Sequence, residues 1–148
     1  MKLATVLWLA QLMPQPYADQ ACLATTVYLE ARNQSELGQR AVAEVALRRL
    51  DNSRWGDTLC EVVTAPRQFA PTLLPADYRL HNLKAWNRAV AIALRAQAEW
   101  NMPRADRRFV VPGADHFVVR AQAAPDWAQG VPVATIGDHT FYQVPRRL

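Results

Sequence analysis

Apolar positions along the chain follow a helical period first and an extended pattern towards the end. Residues 21–33 read A-C-L-A-T-T-V-Y-L-E-A-R-N, and from Ala21 to Ala31 only Thr25, Thr26 and Glu30 are neither apolar nor small. A helix apolar on all sides is normally buried, so this stretch predicts a central core helix. Asp19 is placed to cap it, and the pattern breaks at Asn33-Gln34-Ser35. Ser35 is the next cap, opening a helix from Glu36 to about Leu50. One face of that helix is small and apolar (Gly38, Ala41, Val42, Val45). Arg40, Glu44 and Arg48 stand at i, i+4 spacing on another and read as a solvated charge ladder. Asp57 is expected to cap a short helix through Thr64. The segment 66–71 holds a proline at each end and predicts a stiff loop, followed by an irregular stretch to His81. Asn82 caps the longest helical signal, Leu83 to Trp100, in which Leu83, Trp86, Val90, Ala93, Leu94 and Gln97 recur at helical spacing.

Beyond Asn101-Met102-Pro103 the period changes. Phe109–Val111 and His116–Val119 are β-type runs separated by Pro112-Gly113. Val131–Ile136 and His139–Gln143 flank Gly137-Asp138, a two-residue hairpin signal. Helices first and a small antiparallel sheet last predict an α+β fold. At the other end, Lys2 precedes an apolar run from Leu3 to Met13. Residues 1–18 read either as a secretory leader cut after Ala18 or as a first helix, leaving 19–148 as a single domain. The run is too short for a stable membrane anchor.

Composition narrows the classes. The chain has 148 residues, 51% hydrophobic and 20% charged, which is globular rather than disordered or membrane-spanning. The net charge of +4 favours an anionic partner such as wall polymer, nucleic acid or an anionic membrane. Its arginines are scattered, with no basic run or RNA-binding aromatic motif, so nucleic acid is not the expected partner. The two cysteines, Cys22 and Cys60, lack C-x-x-C spacing. They suit one disulfide in an exported protein and two small core residues in a cytosolic one.

Glu30 is the one side chain within the apolar run of a type ordinarily charged at neutral pH. Its carboxylate must be ion-paired, hydrogen-bonded or held partly protonated. The last state suits a general acid near neutral pH; the first is an ordinary buried pair with a neighbouring arginine. The histidines His81, His116 and His139 show no metal-ligand spacing. Ser35 and Ser53 lack a nucleophile elbow, both cysteines sit among apolar neighbours, and the five glycines are too dispersed for a phosphate loop. Glu30 is therefore the leading catalytic candidate. Gln68-Phe69, on the stiff loop, would offer an amide and a flat apolar face, both suited to a sugar ring.

A set of short motifs carries a family resemblance. Cys22-Leu23-Ala24, Tyr28-x-Glu30-Ala31-Arg32, Gly38-Gln39-x-Ala41-Val42-Ala43-x-Val45, Cys60-x-Val62-Val63 and Gln68-Phe69 come in order. Ala114-x-His116-Phe117, Pro125-x-Trp127-Ala128 and Ile136-Gly137-x-His139-x-Phe141-Tyr142 follow. Together, over Cys22 to Tyr142, they resemble the SleB-type cell wall hydrolases, the spore-cortex-lytic enzyme family. The chain departs from that pattern at Asn33 (usually Gly), Arg48 (usually Asn), Ala70-Pro71 (usually a small residue and an aromatic) and Val118 (usually His).

The resemblance implies a lysozyme-like helical core and peptidoglycan cleavage by lytic transglycosylation, with Glu30 as the single catalytic acid. Gln68, Phe69, His116 and Tyr142 are then the expected glycan-binding residues. No metal or organic cofactor is implied. The expected partner is the peptidoglycan glycan strand, met by a monomer, either after export to the periplasm or wall or as a phage lysis protein. Two other classes stay open: a peptidoglycan amidase, and a wall-binding protein that kept the fold without activity.

Overall fold

A computed structural model describes residues 1–145. Its helices are α1 (Leu3–Leu12), α2 (Tyr17–Ala31), α3 (Glu36–Asp51), α4 (Leu59–Thr64), α5 (Ala70–Leu73) and α6 (Leu83–Trp100). A 3-10 turn at Arg104–Asp106 precedes strands β1 (His116–Val119), β2 (Ala134–Ile136) and β3 (His139–Tyr142). The architecture is α+β, as the order of periodicities implies.

Helix α2 is the hub. It packs against α1, α3, α4, α5 and α6, and Ala18, Cys22 to Tyr28 and Ala31 are all buried. Its apolar sequence is thus explained by neighbours on every side. The disulfide Cys22–Cys60 bolts it to α4. Helix α1 buries Leu3, Val6 and Ala10, leaving Trp8 and Leu12 exposed. Among the described residues no helix is long and apolar enough to cross a membrane.

Caps set the boundaries. Ser35 Oγ accepts from Gly38 N at 3.1 Å and Asn82 Oδ1 from Ala85 N at 3.0 Å, starting α3 and α6 where the sequence places them. Two expected caps differ. Helix α2 begins at Tyr17, and Asp19 in its first turn accepts instead from Leu59 N across the packing interface, at 3.1 Å. Helix α4 is capped by Thr58, whose Oγ1 accepts from Glu61 N at 3.1 Å, while Asp57 N donates back to Glu61 Oε2 at 2.7 Å. With the Thr58 hydroxyl on the Glu61 N–H, the threonine and not the aspartate before it is the cap.

Three further expectations are corrected. Glu44 is not a solvated rung. It is 6% exposed and accepts from Val110 N at 2.7 Å, Val111 N at 3.0 Å and Arg48 Nη2 at 2.9 Å. Those two amides are spent on a carboxylate, so Phe109–Val111 forms no strand. The stiff loop also gives way at Ala70, because Pro71 falls in the first turn of α5, where its missing N–H costs no bond.

The sheet order is β1-β3-β2, antiparallel throughout. Ile136 opposes His139 across the expected Gly137-Asp138 hairpin. Gly137 has φ +57, and a Cβ there would collide with Gln34 Oε1, so both backbone sign and space require glycine. The hairpin brings β3 back beside the C-terminal end of α2.

Candidate active site

Glu30 lies in the last turn of α2, where the helix runs out of the core. Its Oε1 accepts from the backbone N–H of Ala70 at 2.6 Å. That N–H is available because it belongs to the first turn of α5, whose donors have no partner within the helix, and Phe69 supplies no side-chain cap. Glu30 also lines a cleft of about 320 Å³, together with Leu29, Gln34, Val119, Gln122, Asp138 and His139 among others. Burial pushes the Glu30 pKa up, and the Ala70 N–H and the charge of Arg49 pull it only part of the way back.

Arg49 is the nearby cation, and its geometry answers whether Glu30 belongs to a buried ion pair. The guanidinium is packed between Trp55, 4.4 Å from the ring centroid, and Phe69, 4.8 Å away. Nε donates to Asp115 O at 2.7 Å and Nη1 to Gln68 Oε1 at 3.1 Å. Among the described residues no ion pair involves Glu30. Burial pushes Arg49 down to about 10, with Asp115 and Glu30 opposing the fall and Arg54 adding to it. It remains a cation at neutral pH and acts on Glu30 at a distance. The carboxyl is hydrogen-bonded to a backbone amide, the residue lines a cleft, and among the described residues no guanidinium pairs with it.

The expected glycan-binding residues do not all meet at this cleft. Gln68 is exposed and is joined to the Glu30 neighbourhood through Arg49 and the 68–70 backbone. Phe69 is 0% exposed and packs on Phe117 with centroids 5.9 Å apart. It offers no face to a sugar, and its contribution is to hold the Ala70 amide in place. Tyr142 is 2% exposed, its edge against Trp127 and its hydroxyl accepting from Arg120 Nη2 at 3.0 Å, so it is a packing residue rather than a groove wall. His116 stands between Trp55 and Trp127 at 5.8 and 4.8 Å, with Nδ1 2.8 Å from Asp115 Oδ1. It lines a different cleft, of about 720 Å³, with Arg54, Asp126 and Trp127, and that cleft shares no lining residue with the one at Glu30.

Several residues of the Glu30 cleft escape a linear reading. Gln34 Nε2 donates to Asp138 Oδ2 at 2.9 Å and Gln34 Oε1 accepts from Asp138 N at 3.0 Å, fastening the hairpin tip to the α2–α3 loop. His139 faces the same cleft and is 1% exposed. The only sequence sign of their proximity is the hairpin, which fixes where β3 starts but not what it meets. Among the described residues no group of three or more His, Cys, Asp or Glu is arranged to hold a metal ion.

Comparison with known proteins shows the family alone. No curated protein and no solved structure matches the chain. The model of the Cell Wall Hydrolase family matches residues 33–142, a span that takes in α3 to β3 and opens just after Glu30. The match covers well over half of the chain, which therefore belongs to the cell wall hydrolase family, of SleB type, whose substrate is peptidoglycan.

Proposed function

We propose that the protein is a lytic transglycosylase that cleaves the bond between N-acetylmuramic acid and N-acetylglucosamine with Glu30 as its one acid. The observation that supports this most is a carboxyl with a raised pKa, held by one backbone N–H and lining an accessible cleft. A carboxyl kept protonated towards neutral pH can give its proton to the glycosidic oxygen as the C1–O bond breaks. The resulting carboxylate then takes the proton of the muramoyl C6 hydroxyl, whose oxygen bonds to C1 and closes a 1,6-anhydro ring. The proton count balances: Glu30 is ionised only between the two transfers and ends in the acid form, having regained its proton from the C6 hydroxyl. With an internal nucleophile the reaction needs no second carboxylate at the roughly 5 to 9 Å spacing of ordinary glycosidases.

A hydrolytic reading has one observation in its favour. Asp138 lines the same cleft, and a second carboxylate there would orient an attacking water. Against it, one Asp138 oxygen is engaged by Gln34. Either reaction belongs outside the cytoplasm, reached by export or, in a phage setting, after another protein opens the membrane. Mass spectrometry of digested wall material separates the readings. Anhydro-muramoyl ends are expected; new reducing ends would mean hydrolysis, and released stem peptides an amidase.

A further inference from the structure

His139 is a cleft residue that the proposed reaction leaves unused. It opens β3, opposite Val119 of β1 and Ile136 of β2. Its ring is met edge-on by Phe117 at 5.2 Å and lies 6.1 Å from Phe141. Within these apolar surroundings neither Nδ1 nor Nε2 has a hydrogen-bond partner among the described residues, although the residue is 1% exposed. A neutral imidazole carries one donor and one acceptor, and burying both without partners is costly. Native proteins keep few such groups, and one use for them is to bind something the folded chain does not supply. Burial favours the neutral ring, against the pull of the Asp138 charge.

The cleft beside His139 is mostly polar, with Arg32, Asn33, Gln122 and Asp138 in its lining, but Leu29 and Val119 add an apolar patch to the wall that holds this unsatisfied ring. An acetamido group has the matching composition: a methyl to cover, and an amide that both donates and accepts. We propose that His139 binds the acetamido group of the sugar seated next to Glu30, and so selects N-acetylated glycans. This rests on the glycan-cleaving reading above. Both nitrogens are covered in the present conformation, so a ring rotation towards the cleft accompanies binding, a side-chain adjustment of a common kind.

The test uses Glu30→Gln protein, which binds without turnover, and calorimetric titration with two probes. Tetra-N-acetylchitotetraose carries acetamido groups; cellotetraose carries hydroxyls in their place. Adding His139→Phe keeps a ring of similar size among the phenylalanines. We expect it to weaken chitotetraose about tenfold, the loss of one good hydrogen bond, and to leave cellotetraose unchanged. His139→Gln, which restores a donor and an acceptor, should recover part of the loss and serves if the phenylalanine variant does not fold. Equal chitotetraose affinity with and without the imidazole, in proteins of matched melting temperature, would overturn the assignment, as would equal weakening of both probes. Wild-type protein assayed for anhydro ends keeps the two ideas apart. Cleavage with an indifferent His139 sinks only the acetamido site; selective binding without anhydro ends sinks only the transglycosylase.

Discussion

The backbone N–H of Ala70 donates to Glu30 Oε1 at 2.6 Å, joining the last turn of α2 to the first turn of α5. One such bond steadies the carboxyl without fully ionising it. A carboxylate taken from water is favoured only where several donors or a contacting cation replace the lost hydration. Here burial remains the largest influence, so the acid form persists to higher pH than in an ordinary glutamate.

That imbalance has a stability consequence. The folded Glu30 carboxyl holds its proton more tightly than the unfolded chain does. Between the usual glutamate value of 4.5 and the raised folded value, the unfolded state has ionised and the folded state has not. Stability is therefore lost as pH rises through that window, and the cost stays in full above it. Glu30→Gln has no such titration. Its melting temperature should gain on the wild type from pH 4 to pH 8, measured by calorimetry, while wall digestion falls by at least about a hundredfold. A constant gap across that range would mean that Glu30 ionises normally.

Arg49 is expected to influence the alkaline limit of activity. Its charge lowers the Glu30 pKa, so removing the charge should raise it. Arg49→Met is expected to move the alkaline limb of the pH–rate profile upward, and Arg49→Lys to leave it nearly in place. Both variants lose the bonds to Asp115 O and Gln68 Oε1 and should be less stable, by roughly 1 to 3 kcal/mol. An unmoved limb in the methionine variant would show that Arg49 is structural alone.

Glu44 offers a contrasting carboxylate. Glu44→Ala strands two backbone N–H groups and Arg48, all held by a side chain that is 6% exposed. A loss of about 3 kcal/mol is expected in urea titration. Activity measured well below the new melting point should be close to wild type, because Glu44 lies outside the Glu30 cleft.

The disulfide closes a loop spanning 38 positions in sequence between α2 and α4. In the chain-entropy account its reduction removes about 4 kcal/mol. Denaturant midpoints with and without a reductant should differ by that much, and Cys22→Ser should match the reduced protein. An unchanged midpoint would mean that the two thiols are free in solution.

The fold was legible wherever a local signal agreed with its tertiary setting. Ser35 and Asn82 cap the helices they were read to cap, and the Gly137-Asp138 hairpin has the expected register, because caps and tight turns satisfy their own backbone groups. Reading failed where a side chain was claimed from afar. Asp19 serves α4, and Glu44 serves residues 110 and 111, more than sixty positions along the chain. The site divides the same way. Glu30 stood out as a charge in an apolar run, whereas Phe69 and Tyr142 read equally as sugar platforms or core, and three-dimensional packing made them core. His139 stood in the closing-hairpin motif with no role assigned to it, since only the structure shows that its nitrogens lack partners among the described residues.

Carbon-13 NMR titration of the Glu30 side-chain carboxyl, assigned by comparison with Glu30→Gln, bears most directly on the chemistry. A midpoint above 4.5 is expected, with chemical-shift change at this carboxyl on adding tetra-N-acetylchitotetraose. A midpoint at or below the ordinary glutamate value, with no response to the sugar, would contradict the assignment of Glu30 as the acid.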